Sequence, residues 1–148
     1  MNNHTPIIIR GLTVSKGIVI AKCQRYEHGQ NDYQKKFIKK NEVQKEIKKF
    51  NKSVEITLRE INAIKNTLTP SLKNNVGIFL DTHIHLINDK SFLGNIRNNI
   101  KEKFYATDWA IDEEFQSIKS SFSEMKDGYI KQRIDDINHV VKLLIKNV

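Results

Sequence analysis

VQKEIKKFNKSVEITLREINAIKNTL, residues 43–68, carries two interleaved apolar series, Ile47/Val54/Ile61/Leu68 and Val43/Phe50/Thr57/Ile64. Each repeats every seven residues, which on an α-helix lays both series along a single stripe. Lys, Glu and Asn fill most of the remaining positions, so the stretch reads as a long helix with one face on a core. Only Thr57 interrupts the stripe. Thr69-Pro70 then closes this helix and can open the next, with Thr as cap and Pro at the first helical position, where its missing N–H costs nothing.

Downstream, the same periodicity continues. A second helix carries Val76, Phe79, Leu80, Ile84 and Ile87. The polar cluster Asn88-Asp89-Lys90-Ser91 interrupts it, and Phe92, Ile96 and Ile100 resume with a shifted phase, which predicts a kink or a break with a fresh cap at Asn88 or Asp89. Thr107 and Asp108 open a third helix with Ile111, Phe115, Ile118, Phe122 and Met125. Asp127-Gly128 separates it from a fourth, with Ile130, Ile134, Ile137, Val141, Leu144 and Val148. Connections this short favour antiparallel neighbours.

Upstream the pattern changes. From Ile7 to Cys23, β-branched residues flank a Ser15-Lys16-Gly17 break, which suggests two short strands and a turn. Gly11 and Gly17 suit positions needing positive φ or a close approach. Such a pair is marginal alone and needs helices or further strands to pack on. The expected fold is therefore mainly α, a four-helix bundle over residues 32–148 preceded by a short β element in residues 1–31.

The 148 residues suffice for one core. Hydrophobic residues at 39% and charged residues at 28%, with six Gly and two Pro, exclude a disordered or fibrous chain. No apolar run approaches the ~20 residues of a membrane span. The start lacks a signal-peptide pattern, and the single cysteine, Cys23, allows no internal disulfide. A cytoplasmic location without membrane association is expected. The net charge of +8 raises a nucleic-acid reading, but it comes from 20 Lys and only five Arg. Base reading and bidentate phosphate gripping favour Arg, so a solvated basic surface is the better reading.

Sites of chemistry are scarce. No glycine spacing fits a phosphate or dinucleotide loop. His83 and His85 lie two apart, about 200° around a helix, so they cannot share one metal through a common face, and no metal site is expected. The pairs Glu113/Glu114 and Asp135/Asp136 read as solvated. The residues alone stop at a helical bundle with a binding surface.

Three stretches in order resemble the N-terminal region of the phosphoenolpyruvate-utilising family headed by Enzyme I of the bacterial phosphotransferase system (phosphoenolpyruvate-protein phosphotransferase). Gly11 to Cys23 is similar to the family's opening Gly-x-x-x-Ser-Pro-Gly-Ile-Ala-x-Gly-x-Ala, departing at Lys16 and Ala21. Ile78 to Asp89 resembles the segment ending in Leu-Leu-x-Asp, and Ala106-Thr107-Asp108-Trp109-Ala110 resembles the Ala-Glu-Trp-Ala of the nitrogen-related branch. Tyr129 to Ile137 is similar to Tyr-Leu-x-x-Arg-x-x-Asp-(Ile/Val/Leu), with Leu143 and Leu144 at further family leucines.

The resemblance implies that the helices form an HPr-binding-like subdomain, which docks a small HPr-like phosphocarrier protein beside a phosphohistidine. By position it implies a docking surface of His83, His85, Leu86, Ile87, Asp89 and Phe92 around the break, with Arg133 on the last helix. Core packing is the plainer role for Leu86 and Phe92. The family's Gly-Gly-x-x-Ser-His segment would lie beyond Val148. The barrel that binds phosphoenolpyruvate and Mg²⁺ in the full-length family has no counterpart, so no cofactor and no phosphotransferase activity are expected of this chain by itself. The family's docking helix is acidic after Leu-Leu-x-Asp, whereas Lys90 and Ser91 follow Asp89 here, which weakens steering toward a basic carrier. Two other readings remain: a piece of an active phosphotransferase completed by another segment, and a basic helical nucleic-acid binder.

Overall fold

The computed structural model describes residues 17–18, 20, 22, 35–122 and 128–148, the side chains of 75 and 128–131 excepted. The described helices are α1 (Val43–Thr67), α2 (Pro70–Leu72), α3 (Ile78–Ile87), α4 (Lys90–Glu102), α5 (Thr107–Ser121) and α6 (Gly128–Lys146). A 3₁₀ turn, Lys40–Glu42, leads into α1, and a π-helical segment, Lys73–Gly77, joins α2 to α3. Taken as arms, α1, the bent run from α2 to α4, α5 and α6 are the four helices that periodicity predicts. The expected β element lies almost wholly outside the described residues. Gly17, inside it, has a φ of 146°, a conformation that favours glycine. Among the described residues no helix is long and apolar enough to cross a membrane.

The α1 stripe points inward as its spacing demands, with Phe50 and Ile61 buried against Ile87, Ile96, Ile111 and Leu144 from the other arms. Ile64 departs from it and is exposed. Thr57 is fully buried, and its place in the stripe has a cause. The last carbonyls of a helix lack intrahelical partners. At the end of α6, Leu144 O accepts from Ser53 Oγ at 2.6 Å, and Leu143 O accepts from Thr57 Oγ1 at 3.5 Å. Thr57 Oγ1 also accepts from Asn147 Nδ2 at 3.0 Å. Two small hydroxyl residues thus let α6 approach α1 and terminate it.

The opposite end of α1 serves α5. Ala106, at the N-cap of α5, offers no side-chain acceptor. Glu46 supplies one from α1, taking hydrogen bonds from Thr107 N at 2.9 Å and Thr107 Oγ1 at 2.7 Å. Burial pushes the Glu46 carboxyl up, but these bonds, with Lys49 and Lys45 nearby, outweigh it and hold the group below its ordinary value of 4.5. A depressed carboxyl stabilises the fold above that ordinary value and loses this contribution as pH falls through the depressed one. Glu46→Ala is expected to cost about 1–3 kcal/mol near neutral pH by leaving Thr107 N unpaired, while Thr107 Oγ1 keeps its bond to the Glu46 backbone O at 3.1 Å. The gap between variant and wild type should shrink on acidification below the ordinary carboxyl value, as read by urea unfolding. A gap independent of pH would show that the carboxylate is not the stabilising group.

In the bent arm, the break falls where the polar cluster predicts it. Asn88 ends α3, and Asp89 caps α4, its Oδ1 accepting from Phe92 N at 2.7 Å. Before the break the structure departs from the simple stripe. Val76 and Phe79 are exposed, while Leu80, His83 and Ile87 face the core. The π turn at Lys73–Gly77 adds a residue to one turn and rotates everything before it relative to α3. Beyond the break, α4 runs antiparallel to α5, with Asn95 Nδ2 donating to Glu114 Oε1 at 2.9 Å and Asn99 Nδ2 to Ala110 O at 3.4 Å. Glu114, read as solvated, is buried in this seam, and burial raises its carboxyl pKa.

A short clip holds the start of the helical unit. Ile38 N donates to Phe104 O at 2.8 Å and Ala106 N to Lys36 O at 2.9 Å, framing an isolated antiparallel bridge between Phe37 and Tyr105. Tyr105 stacks on Trp109 at 3.6 Å between ring centroids, and Phe37 meets Trp109 edge-on at 4.9 Å.

Candidate functional site

Three local features shape the bent arm: the π turn that rotates its first part, the Asp89 cap that restarts it, and its seam with α6. The residues assigned to docking divide by depth. Ile87 and Phe92 lie in the core, at 0% and 4% exposure. Both side chains pack in the main core cluster, one on each side of the break. Leu86 is half-buried and packs on the same core. His85 and Asp89 are exposed, and so is Arg133, one turn before Asp136 on α6. His83 faces the α3–α6 seam, buried.

Sequence reasoning passed over an apolar patch on this arm. Leu72, Val76, Ile78 and Phe79 are all exposed, from α2 through the π turn into α3. Ile64 of α1 is a further exposed residue, and the ion pair between Lys65 and Asp81 ties α1 to α3. Large apolar side chains gathered on one element mark an interaction surface more often than scattered single ones do. The signal was Ile78-Phe79-Leu80, since three consecutive apolar residues span about 200° of a helix and cannot all face one core.

The α3–α6 seam was also missed. His83, Asp136 and His139 bring one ligand-type atom each within 4.8 Å of one another. The His83 and His139 rings are 6.3 Å apart between centroids, and Phe79 lies edge-on to His83 at 4.4 Å. Burial pushes the His83 imidazole pKa down, with Asp136 opposing and His139 reinforcing that direction. His83 therefore meets His139 across the seam rather than His85 along its own helix. Asp136 and His139, spaced i and i+3, share one face of α6, and that spacing was the readable sign.

Comparison with known proteins gives consistent matches. The profile of the family described as PEP-utilising enzyme, N-terminal matches residues 10–133. The chain is similar to the phosphoenolpyruvate-protein phosphotransferase of Cupriavidus necator, 23% identical over 141 residues, covering 95% of this chain and 24% of that one. Those of Listeria monocytogenes and Geobacillus stearothermophilus are 25% and 27% identical over 140 residues, with the same coverage. The chain thus spans about a quarter of the length of these curated relatives. Among solved structures, the NMR solution structure of Enzyme I (nEIt) superposes with a TM-score of 0.72 at 26% identity, covering 80% of this chain and 48% of that one.

Proposed function

Because the chain belongs to the PEP-utilising enzyme N-terminal family, we propose that it is a phosphotransferase-system component whose bent arm docks an HPr-like phosphocarrier protein. The observation that supports this most is the exposed apolar patch on the first part of the bent arm, which leaves Ile78 and Phe79 uncovered about two turns before His85. Apolar anchors rimmed by polar groups are the usual form of a protein–protein contact. In this reading His85, Asp89 and Arg133 form the polar rim, while Ile87 and Phe92 hold the arm's shape.

Phosphoryl transfer between two histidines needs in-line positioning, so a rigid docking arm contributes to catalysis without carrying the reacting group. The reaction itself, with its Mg²⁺ and phosphoenolpyruvate, is assigned to parts of the family's architecture outside the matched quarter. The second reading, a piece of a complete phosphotransferase, draws on the same relatives, whose full length is about four times the matched span. A cytoplasmic location accords with either.

The test is a titration of the isotope-labelled chain with HPr-like carriers from its own organism. Amide shifts are expected at Ile78, Phe79, His85 and Asp89 and on the Arg133 side of α6. The double variant Ile78→Asp, Phe79→Asp is expected to weaken binding by about tenfold or more, a modest loss for two anchors. Shifts confined to the α4–α5 side would overturn the assignment. Incubation with phosphoenolpyruvate, Mg²⁺ and carrier should leave the carrier unlabelled under either reading when this chain is alone; labelling that appears on adding the segment the relatives carry beyond the matched span favours the second.

A further inference from the structure

We propose that His83 of α3 with Asp136 and His139 of α6 form a binding site for a divalent transition cation of the zinc type, bridging the bent arm to the last helix. This proposal stands apart from the docking reading and shares only His83 with the surface that the resemblance implies.

Two observations carry it. The first is convergence: three ligand-type atoms within 4.8 Å, from two helices that periodicity alone does not bring together. Zinc held by imidazole nitrogen and carboxylate oxygen at about 2.0–2.2 Å places tetrahedral ligand atoms about 3.3 Å apart. Closing the present spacing asks for about an ångström of movement, and the groups that must move are free to do so. His139 is exposed and Asp136 half-buried, each a short side chain on the surface of α6. Their i, i+3 spacing is the carboxylate-x-x-histidine pattern by which helical bundles aim two ligands inward from one helix.

The second observation is an orphan. His83 is 4% exposed, and its Nε2 is buried with no hydrogen-bond partner among the described residues. A buried ring nitrogen without a partner carries a desolvation cost. A cation in the seam accepts its lone pair and removes that cost. Two imidazoles and one carboxylate suit zinc, iron(II), cobalt(II) or nickel(II) better than the oxygen-seeking magnesium or calcium. Three protein ligands leave a fourth position to water. A cation there joins α3 to α6 just before the break, so loading stiffens the seam on which the bent arm rests.

The test uses the full chain, stripped with chelator and titrated with zinc sulfate by calorimetry at about pH 7.5, since metal binding competes with protons for imidazole. One saturable zinc per chain and a melting temperature that rises with zinc are expected. His139→Ala and Asp136→Asn, both at positions solvent reaches, should fold normally. Each should weaken binding at least tenfold, beyond the lower end of the 10–100-fold cost of losing even an outer-shell partner. His85→Ala should bind as wild type. Cobalt(II) substituted for zinc should give visible absorption that the Asp136→Asn variant lacks. Absence of saturable zinc binding overturns the proposal, as does zinc binding that survives both variants and therefore sits on other histidines. Carrier binding plays no part in these readouts, so failure of the docking reading leaves this result unaffected.

Discussion

Phe92→Ala is expected to lower the unfolding free energy by about 3–5 kcal/mol, the range for removing a large aromatic from a core. Phe92 is 4% exposed, packs in the main cluster with Ile96 and Ile100, and follows the Asp89 cap that restarts the arm. The resemblance alone places it on a docking surface, where truncation would weaken carrier binding and leave stability nearly unchanged. Urea unfolding separates the two roles. A core role gives a large drop in midpoint, with carrier affinity per folded molecule little changed. His85→Ala is the contrast: an exposed position away from caps and cores should stay within about 0.5 kcal/mol of wild type. A stable Phe92→Ala protein that fails to bind carrier would return Phe92 to the surface.

Thr57→Leu is expected to destabilise the protein by about 1–3 kcal/mol, although it completes the heptad stripe of α1. By sequence pattern leucine is the better residue there, so the sign of the effect is diagnostic. Thr57 is fully buried, and the extra volume has nowhere to go. The substitution also removes the hydroxyl that accepts from Asn147 and donates to Leu143 O. Thr57→Val, nearly the same size without the hydroxyl, separates the two contributions. Its cost should be about 1 kcal/mol, the worth of an ordinary buried hydrogen bond, and below that of Leu. A stabilised Thr57→Leu protein would mean that α6 is not held against α1 as described.

How far the residues alone could be read depends on whether the cause is local. The arms and the break at Asn88-Asp89 were readable because periodicity, a capping aspartate and a proline after Thr69 act within a few residues. The outward turn of Val76 was not. It follows from one over-wide turn at Lys73–Gly77, and no residue there demands a π helix by its chemistry. Thr57 looked like a defect in an apolar stripe because its partners lie at the far end of the chain, beside the last turn of α6. Glu114 was misread for a similar reason, since its burial depends on Asn95 from the facing helix. At the seam, the Asp136-x-x-His139 spacing was visible, yet only the packing of α6 on α3 brings His83 to it.

One helix closes the ends of two others. Glu46 meets the start of α5, while Ser53 and Thr57 meet the finish of α6. Along α1 these positions are two and three turns apart, so they stay on one side only while the residue count between them is kept. Inserting or deleting a single residue between Glu46 and Ser53 would swing one contact about 100° away from the other. That stretch can therefore vary in composition far more readily than in length.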